Sequence, residues 1–133
     1  MTQRNIDVMD IIVSKMASGE KLSKALEAVY KKRNVCIPYN ENYFDVLIID
    51  LGLSRRSSNA LLRARMRKLG DVIEFCKGKK ITDITNLGIT SGIEIFETIL
   101  DYCWGRMSQD ERTSFLIDTV ERNSDYIRSE ITI

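Results

Sequence analysis

Leu51-Gly52-Leu53-Ser54-Arg55-Arg56-Ser57-Ser58-Asn59-Ala60-Leu61 and, further along, Asn86-Leu87-Gly88-Ile89-Thr90-Ser91-Gly92-Ile93-Glu94-Ile95 are two segments of one kind. Each reads as a tight turn feeding a helix. At a helix start several backbone N–H groups lack an intrahelical partner and the macrodipole is positive, so small residues there let an anion come close. Arg56 and Asn59, three apart, fall on one face of the first helix beside its turn.

Outward from these two starts the pattern is helical nearly everywhere. Ile6, Met9, Val13 and Met16 make one stripe at 3-4-3 spacing, which Ser18-Gly19 interrupts. A second helix is expected from about Glu20 to Lys32, with Leu22, Leu26 and Val29 inward and Lys21, Lys24, Lys31 and Lys32 outward. Residues 34–42 hold the only proline, Pro38, and read as a loop. Residues 43–50 are apolar and β-branched; helix and strand both fit the pattern, and the helical surroundings favour helix. Ser54 is an expected N-cap for a helix running to about Met66. The next helix is expected over Leu69–Cys76, then a turn at Gly78-Lys79-Lys80 and a single helical turn near Ile81–Thr85. A longer helix from about Thr90 to Trp104 carries Ile95, Ile99 and Tyr102 or Cys103 on one face and is expected to stop at Gly105. Ser108 and Glu111 form an S-x-x-E capping box for a last helix striped by Leu116, Val120, Ile127 and Ile131. The fold expected is an all-α one of about six to eight helices.

The protein has 133 residues, one ordinary domain's worth, with 44% hydrophobic and 29% charged residues; these are globular values that set disorder aside except at the ends. Its formal net charge of +1 hides a segregation. Residues 51–93 carry nine basic side chains against three acidic ones, whereas residues 94–133 carry four against nine, the signature of a localised anion-binding patch rather than of bulk polyelectrolyte binding. Arg63, Arg65, Arg67 and Lys68, spread around a helix end, read as solubilising charges. Three scattered cysteines, Cys36, Cys76 and Cys103, fit buried apolar groups in a reducing cytoplasm and no disulfide framework. Histidine is absent, and no cofactor or metal site is expected. The longest aliphatic run, Val46 to Ile49, is far below the roughly 20 residues of a membrane span. No export signal is visible, so a cytoplasmic location away from the membrane is expected.

From about Asp50 to Leu100 the sequence resembles the C-terminal domain of the bacterial RNA polymerase alpha subunit, a helical module with a helix-hairpin-helix element. That family opens one helix with Leu-x-Leu-Ser/Thr-x-Arg-Ser-x-Asn-x-Leu and another with Asn-Leu-Gly-x-x-Ser-x-x-Glu-Ile; residues 51–61 and 86–95 match both, in order and at a fitting distance. The large assembly domain of an alpha subunit is not among these residues, so the resemblance is to a free-standing relative with extra helices at both ends. It implies three parts: an N-terminal helical extension over 1–42, the helix-hairpin-helix domain over 43–105 and a C-terminal helix over 106–133. It also implies a DNA-binding, transcription-related protein that contacts the minor groove of A·T-rich duplexes with low sequence specificity. On the matching positions Arg56 would enter the groove, Asn59 would meet sugar-phosphate or base edges, Gly88 and Ser91 would offer donors to a phosphate, and Glu94 would orient Arg56. Thr90 stands where the family usually carries a lysine; Arg55 is the residue expected to compensate.

Two other classes compete with this one. An enzyme is disfavoured, because neutral-pH acid/base chemistry usually draws on histidine or a pocketed carboxylate pair, and Asp118 with Glu121 suits an exposed helix face better. A protein-interaction module of the transcription machinery that no longer binds DNA is the alternative; Thr90 and the near-zero charge favour it, and Arg56, Asn59 and Gly88 favour DNA. Partners expected are duplex DNA, RNA polymerase or a transcription factor, and a second copy of the protein.

Overall fold

The computed structural model describes residues 1–31, 41–76, 79, 81–84 and 87–131. The expectations for the Asn34–Asn42 loop up to residue 40, for Cys36, for Lys80 and for Asn86 lie outside these residues. Among the described residues there are six α-helices, four 3-10 turns and no strand, an all-α protein as expected. The residues divide into two compact units, Tyr39–Cys103 in the middle of the sequence and Met1–Pro38 together with Trp104–Ile133 from its two ends.

In the unit built from the two ends, α1 (Gln3–Ala17) begins at Thr2, whose hydroxyl accepts the Asn5 N–H at 3.2 Å. The stripe expected to face inward is corrected here: Asn5, Val8 and Ile12 are buried, while Ile6 and Val13 remain 37% and 45% exposed. Apolar residues surround more than one side of this helix, and on the buried side the Asn5 amide donates to Ser124 Oγ at 2.8 Å beside Val8 and Ile12. Hydrophobic spacing ignores an asparagine. Helix α2 (Leu22–Val29) buries Leu22, Leu26 and Val29 as expected, but it stops short of Lys32. Tyr30 turns extended and pairs antiparallel with Ile127, and Lys31 N–H donates to the Tyr126 carbonyl at 2.8 Å.

The expected capping box is present: Ser108 N–H donates to Glu111 Oε1 at 3.0 Å and Glu111 N–H to Ser108 Oγ at 3.2 Å. It opens the last α-helix, α6 (Gln109–Arg122), which buries Phe115, Leu116, Thr119 and Val120. Ile127 and Ile131 are not in it. Asn123, fully buried with its amide on the Thr119 carbonyl at 2.7 Å, leads into a 3-10 turn, and Ile127 reaches the core through the Tyr30 pairing instead.

In the middle unit, residues 43–50 are not the expected helix. They form part of a 3-10 turn at Glu41–Tyr43 and another at Ile48–Asp50, with Leu47 bridged to Lys68. Their backbone pairs with a distant segment: Ile48 N–H on Arg67 O, Leu69 N–H on Val46 O and Gly70 N–H on Phe44 O, at 2.7–3.0 Å. Gly70 permits this approach, since a Cβ there would meet the Phe44 carbonyl at 3.0 Å. Helices α3 (Arg55–Arg63), α4 (Leu69–Phe75) and α5 (Ile89–Arg106) follow, with a 3-10 turn at Ile81–Asp83. Ile95, Ile99 and Cys103 are the buried face of α5, as expected. Gly105 does not end α5. A glycine inside a helix costs about 1 kcal/mol without forbidding the next residue, and the backbone turns only where Ser108 caps the following helix.

Candidate nucleic-acid interface

Ser54 is the N-cap of α3, its hydroxyl accepting the Ser57 N–H at 3.2 Å. This short hydroxyl residue commits the backbone to helix at Arg55, and Ser57, Ala60 and Leu61 then bury one side. The opposite side carries Arg55, Arg56 and Asn59, of which both arginines are exposed. Among the described residues, neither guanidinium has an acidic or carbonyl partner, and the Asn59 amide is likewise uncommitted.

Gly88 precedes α5 and accepts the Gly92 N–H at 2.9 Å, so it stands at the helix start. It is exposed, and a Cβ built on it would meet nothing within 4 Å. Packing therefore does not demand a glycine there. Thr90 is exposed, Ser91 is half-buried one position on, and no described residue accepts the N–H of Ile89, Thr90 or Ser91.

Glu94 does not orient Arg56 directly, as the resemblance implies it would. Its carboxylate accepts the Ser54 N–H at 3.0 Å, so it ties the second turn of α5 to the cap of α3. Partial desolvation, the largest single effect, pushes its pKa up, but the Ser54 N–H, the Ser57 hydroxyl, which lies near without full hydrogen-bond geometry, and the Ser54 hydroxyl together outweigh it; the net shift is downward. A carboxylate beside a helix start is stabilised by the orphan N–H groups and by the positive end of the macrodipole. Through this bond the start of α3 lies against α5 about 9 Å along the helix axis from Gly88.

Sequence reasoning missed one feature. Arg65 has φ +63°, and it closes α3 with two bonds, Arg65 N–H to Leu62 O at 3.0 Å and Met66 N–H to Leu61 O at 2.9 Å. This is a Schellman end with arginine where glycine is usual, and α3 ends at Arg63, short of the expected Met66. On the other side of the turn, the Asp71 carboxylate accepts the N–H groups of Lys68 and Arg67 at 3.1 and 3.0 Å, which lower its pKa.

Residues 38–101 match the family model of the C-terminal domain of the bacterial RNA polymerase alpha chain. The middle unit is a relative of that domain. The match and the unit, which spans Tyr39–Cys103, coincide to within two residues at each end. Members of the family are non-catalytic, transcription-related DNA-binding domains. No curated protein and no solved structure matches the sequence. Outside the alpha C-terminal-domain-like unit, Asp118 is taken up by Arg122 at 2.8 Å. Within it, burial and then the Asp83 charge push the Cys76 thiol up to about 11, away from thiolate chemistry. No helix among the described residues is long and apolar enough to cross a membrane.

Proposed function

We propose that this protein binds duplex DNA through the α3–α5 face of its alpha C-terminal-domain-like unit, in the minor groove and with preference for A·T-rich tracts. The observation that carries this reading is the pair of uncommitted side chains Arg56 and Asn59 beside a helix start tied by Glu94 to the start of α5. A narrow A·T minor groove concentrates negative potential and draws in a guanidinium, here Arg56. Asn59 meets the sugar-phosphate or base edges. Gly88 lets a strand approach the first amides of α5, and Ser91 adds a hydroxyl donor. Arg55 supplies the charge that Thr90 does not. Glu94 is a positioning residue, acting through the α3 cap. Regulation in the cytoplasm, contact with RNA polymerase or a transcription factor, and a homodimer that doubles the footprint complete the proposal.

Binding of A·T-rich and G·C-rich duplexes by the wild type and Arg56→Ala, each at two salt concentrations, tests it. The expected result is a tenfold or larger loss of A·T affinity in the variant, in line with about 1–3 kcal/mol for an arginine reading the groove. Equal, undetectable binding by both proteins would favour the interaction module. One observation supports that second reading: Ile89, the first residue of α5, is 72% exposed in the middle of the proposed phosphate face.

A further inference from the structure

We infer that Arg63, Arg65 and Arg67 form a second phosphate-binding surface that grips the backbone of the same duplex, outside the groove entered by Arg56. The inference rests on the proposed DNA contact and extends it.

Arg56, Asn59 and Arg63 stand at i, i+3 and i+7 of α3, one stripe along two helical turns, with both arginines exposed. Arg56 and Arg63 are therefore about 10 Å apart along the axis. The minor groove is about 6 Å wide, so a side chain that far from one seated in the groove reaches the flanking phosphates. Arg65 and Arg67 follow in the turn after α3. No described residue pairs with the guanidinium of Arg63, Arg65 or Arg67. The charges nearest in sequence are already engaged. Asp71 is held by two backbone N–H groups, and Lys68 faces Asp45 at 3.5 Å.

Arg65 adds a separate argument. Its left-handed backbone favours glycine, and a long side chain there carries a conformational cost that no hydrogen bond or ion pair of its guanidinium within the described residues repays. Strained positions of this kind concentrate where a side chain has work outside the fold. A guanidinium fits phosphate in a bidentate way that an ammonium does not, and all three of these cations are arginines. Continuity with the Arg56 stripe favours nucleic acid over an acidic polypeptide as the occupant.

The test is the salt dependence of duplex binding between about 50 and 200 mM for the full-length protein. It compares wild type, Arg56→Ala, the triple variant Arg63→Gln/Arg65→Gly/Arg67→Gln and the corresponding triple lysine variant, with far-UV circular dichroism to establish equal folding. Each lost phosphate contact flattens the log–log slope by about 0.9, so the glutamine-glycine triple should lose about 2.7, a salt sensitivity about 40-fold smaller over that range. Its ratio of A·T to G·C affinity should stay at the wild-type value, and the lysine triple should keep most of the slope. A triple variant with wild-type slope, beside an impaired Arg56→Ala, overturns this inference alone. A wild type that binds neither duplex overturns the groove reading as well. Polyglutamate binding that the triple abolishes while its duplex slope is unchanged assigns the arginines to an acidic protein and also overturns the inference.

Discussion

Arg65 shows how a single backbone angle escapes a sequence rule. A residue closing a helix at φ +63° is expected to be glycine, and nothing in Ala64-Arg65-Met66 announces a Schellman end. Arg65→Gly should relieve the left-handed strain while adding freedom to the unfolded state, for a net gain of about 0.5–1 kcal/mol. Chemical denaturation followed by far-UV circular dichroism checks this, and a loss of stability would mean that the arginine packs within the fold. Arg56 and Asn59 are legible for the opposite reason. Their spacing beside a serine cap is a local pattern, and an i, i+3 pair on a helix lands on one face whatever the tertiary structure does. The bond that Glu94 makes is not legible. The partner of a carboxylate at a helix start depends on which other helix start lies beside it, and Ser54 is forty positions away.

At the scale of elements, two carboxylates fasten the turns that frame the proposed interface, Glu94 to the start of α3 and Asp71 to the start of α4. Both have a depressed pKa in the folded protein. A group of this kind contributes stability that is present above its unfolded pKa, about 4, and is lost as pH falls through the lower folded value. The middle unit should therefore weaken below about pH 4. Glu94→Gln should cost about 1 kcal/mol near neutral pH, where a charge-assisted bond becomes a neutral one, and should flatten the acid limb of stability against pH. Denaturation midpoints of both proteins from about pH 2.5 to neutrality decide this; parallel curves would show that Glu94 titrates as it does in the unfolded state. The caps at Ser54 and Ser108 are readable because capping is local chemistry. The backbone pairing of residues 43–50 with 67–70 is not, because a β-branched run leaves helix and strand equally open until its partner is known.

At the scale of the whole molecule, the sequence presents its two ends as separate extensions, whereas Met1–Pro38 and Trp104–Ile133 fold as one unit. Amphipathic spacing shows that a helix must bury a face and is silent on which segment covers it. The joins are specific: the Asn5 amide on Ser124, the Tyr30–Ile127 bridge, and the Arg128 guanidinium on the Glu27 carbonyl at 3.1–3.2 Å. Ile127 is buried at that bridge, outside any helix, so its side chain is held only by tertiary packing. Ile127→Ala should destabilise this unit by about 2–4 kcal/mol, the usual cost of truncating a buried isoleucine. The sole tryptophan reports it directly. Trp104 belongs to the same unit, with the Phe115 ring centroid 6.1 Å away and the Arg112 guanidinium 4.9 Å from its own ring centroid, so its fluorescence follows the packing of the two ends. The variant should unfold at lower denaturant by that signal. Arg56→Ala, an exposed change in the other unit, should leave the Trp104 transition where it is. A Trp104 transition indifferent to Ile127→Ala would mean that the C-terminal segment is not packed into the unit that contains the tryptophan.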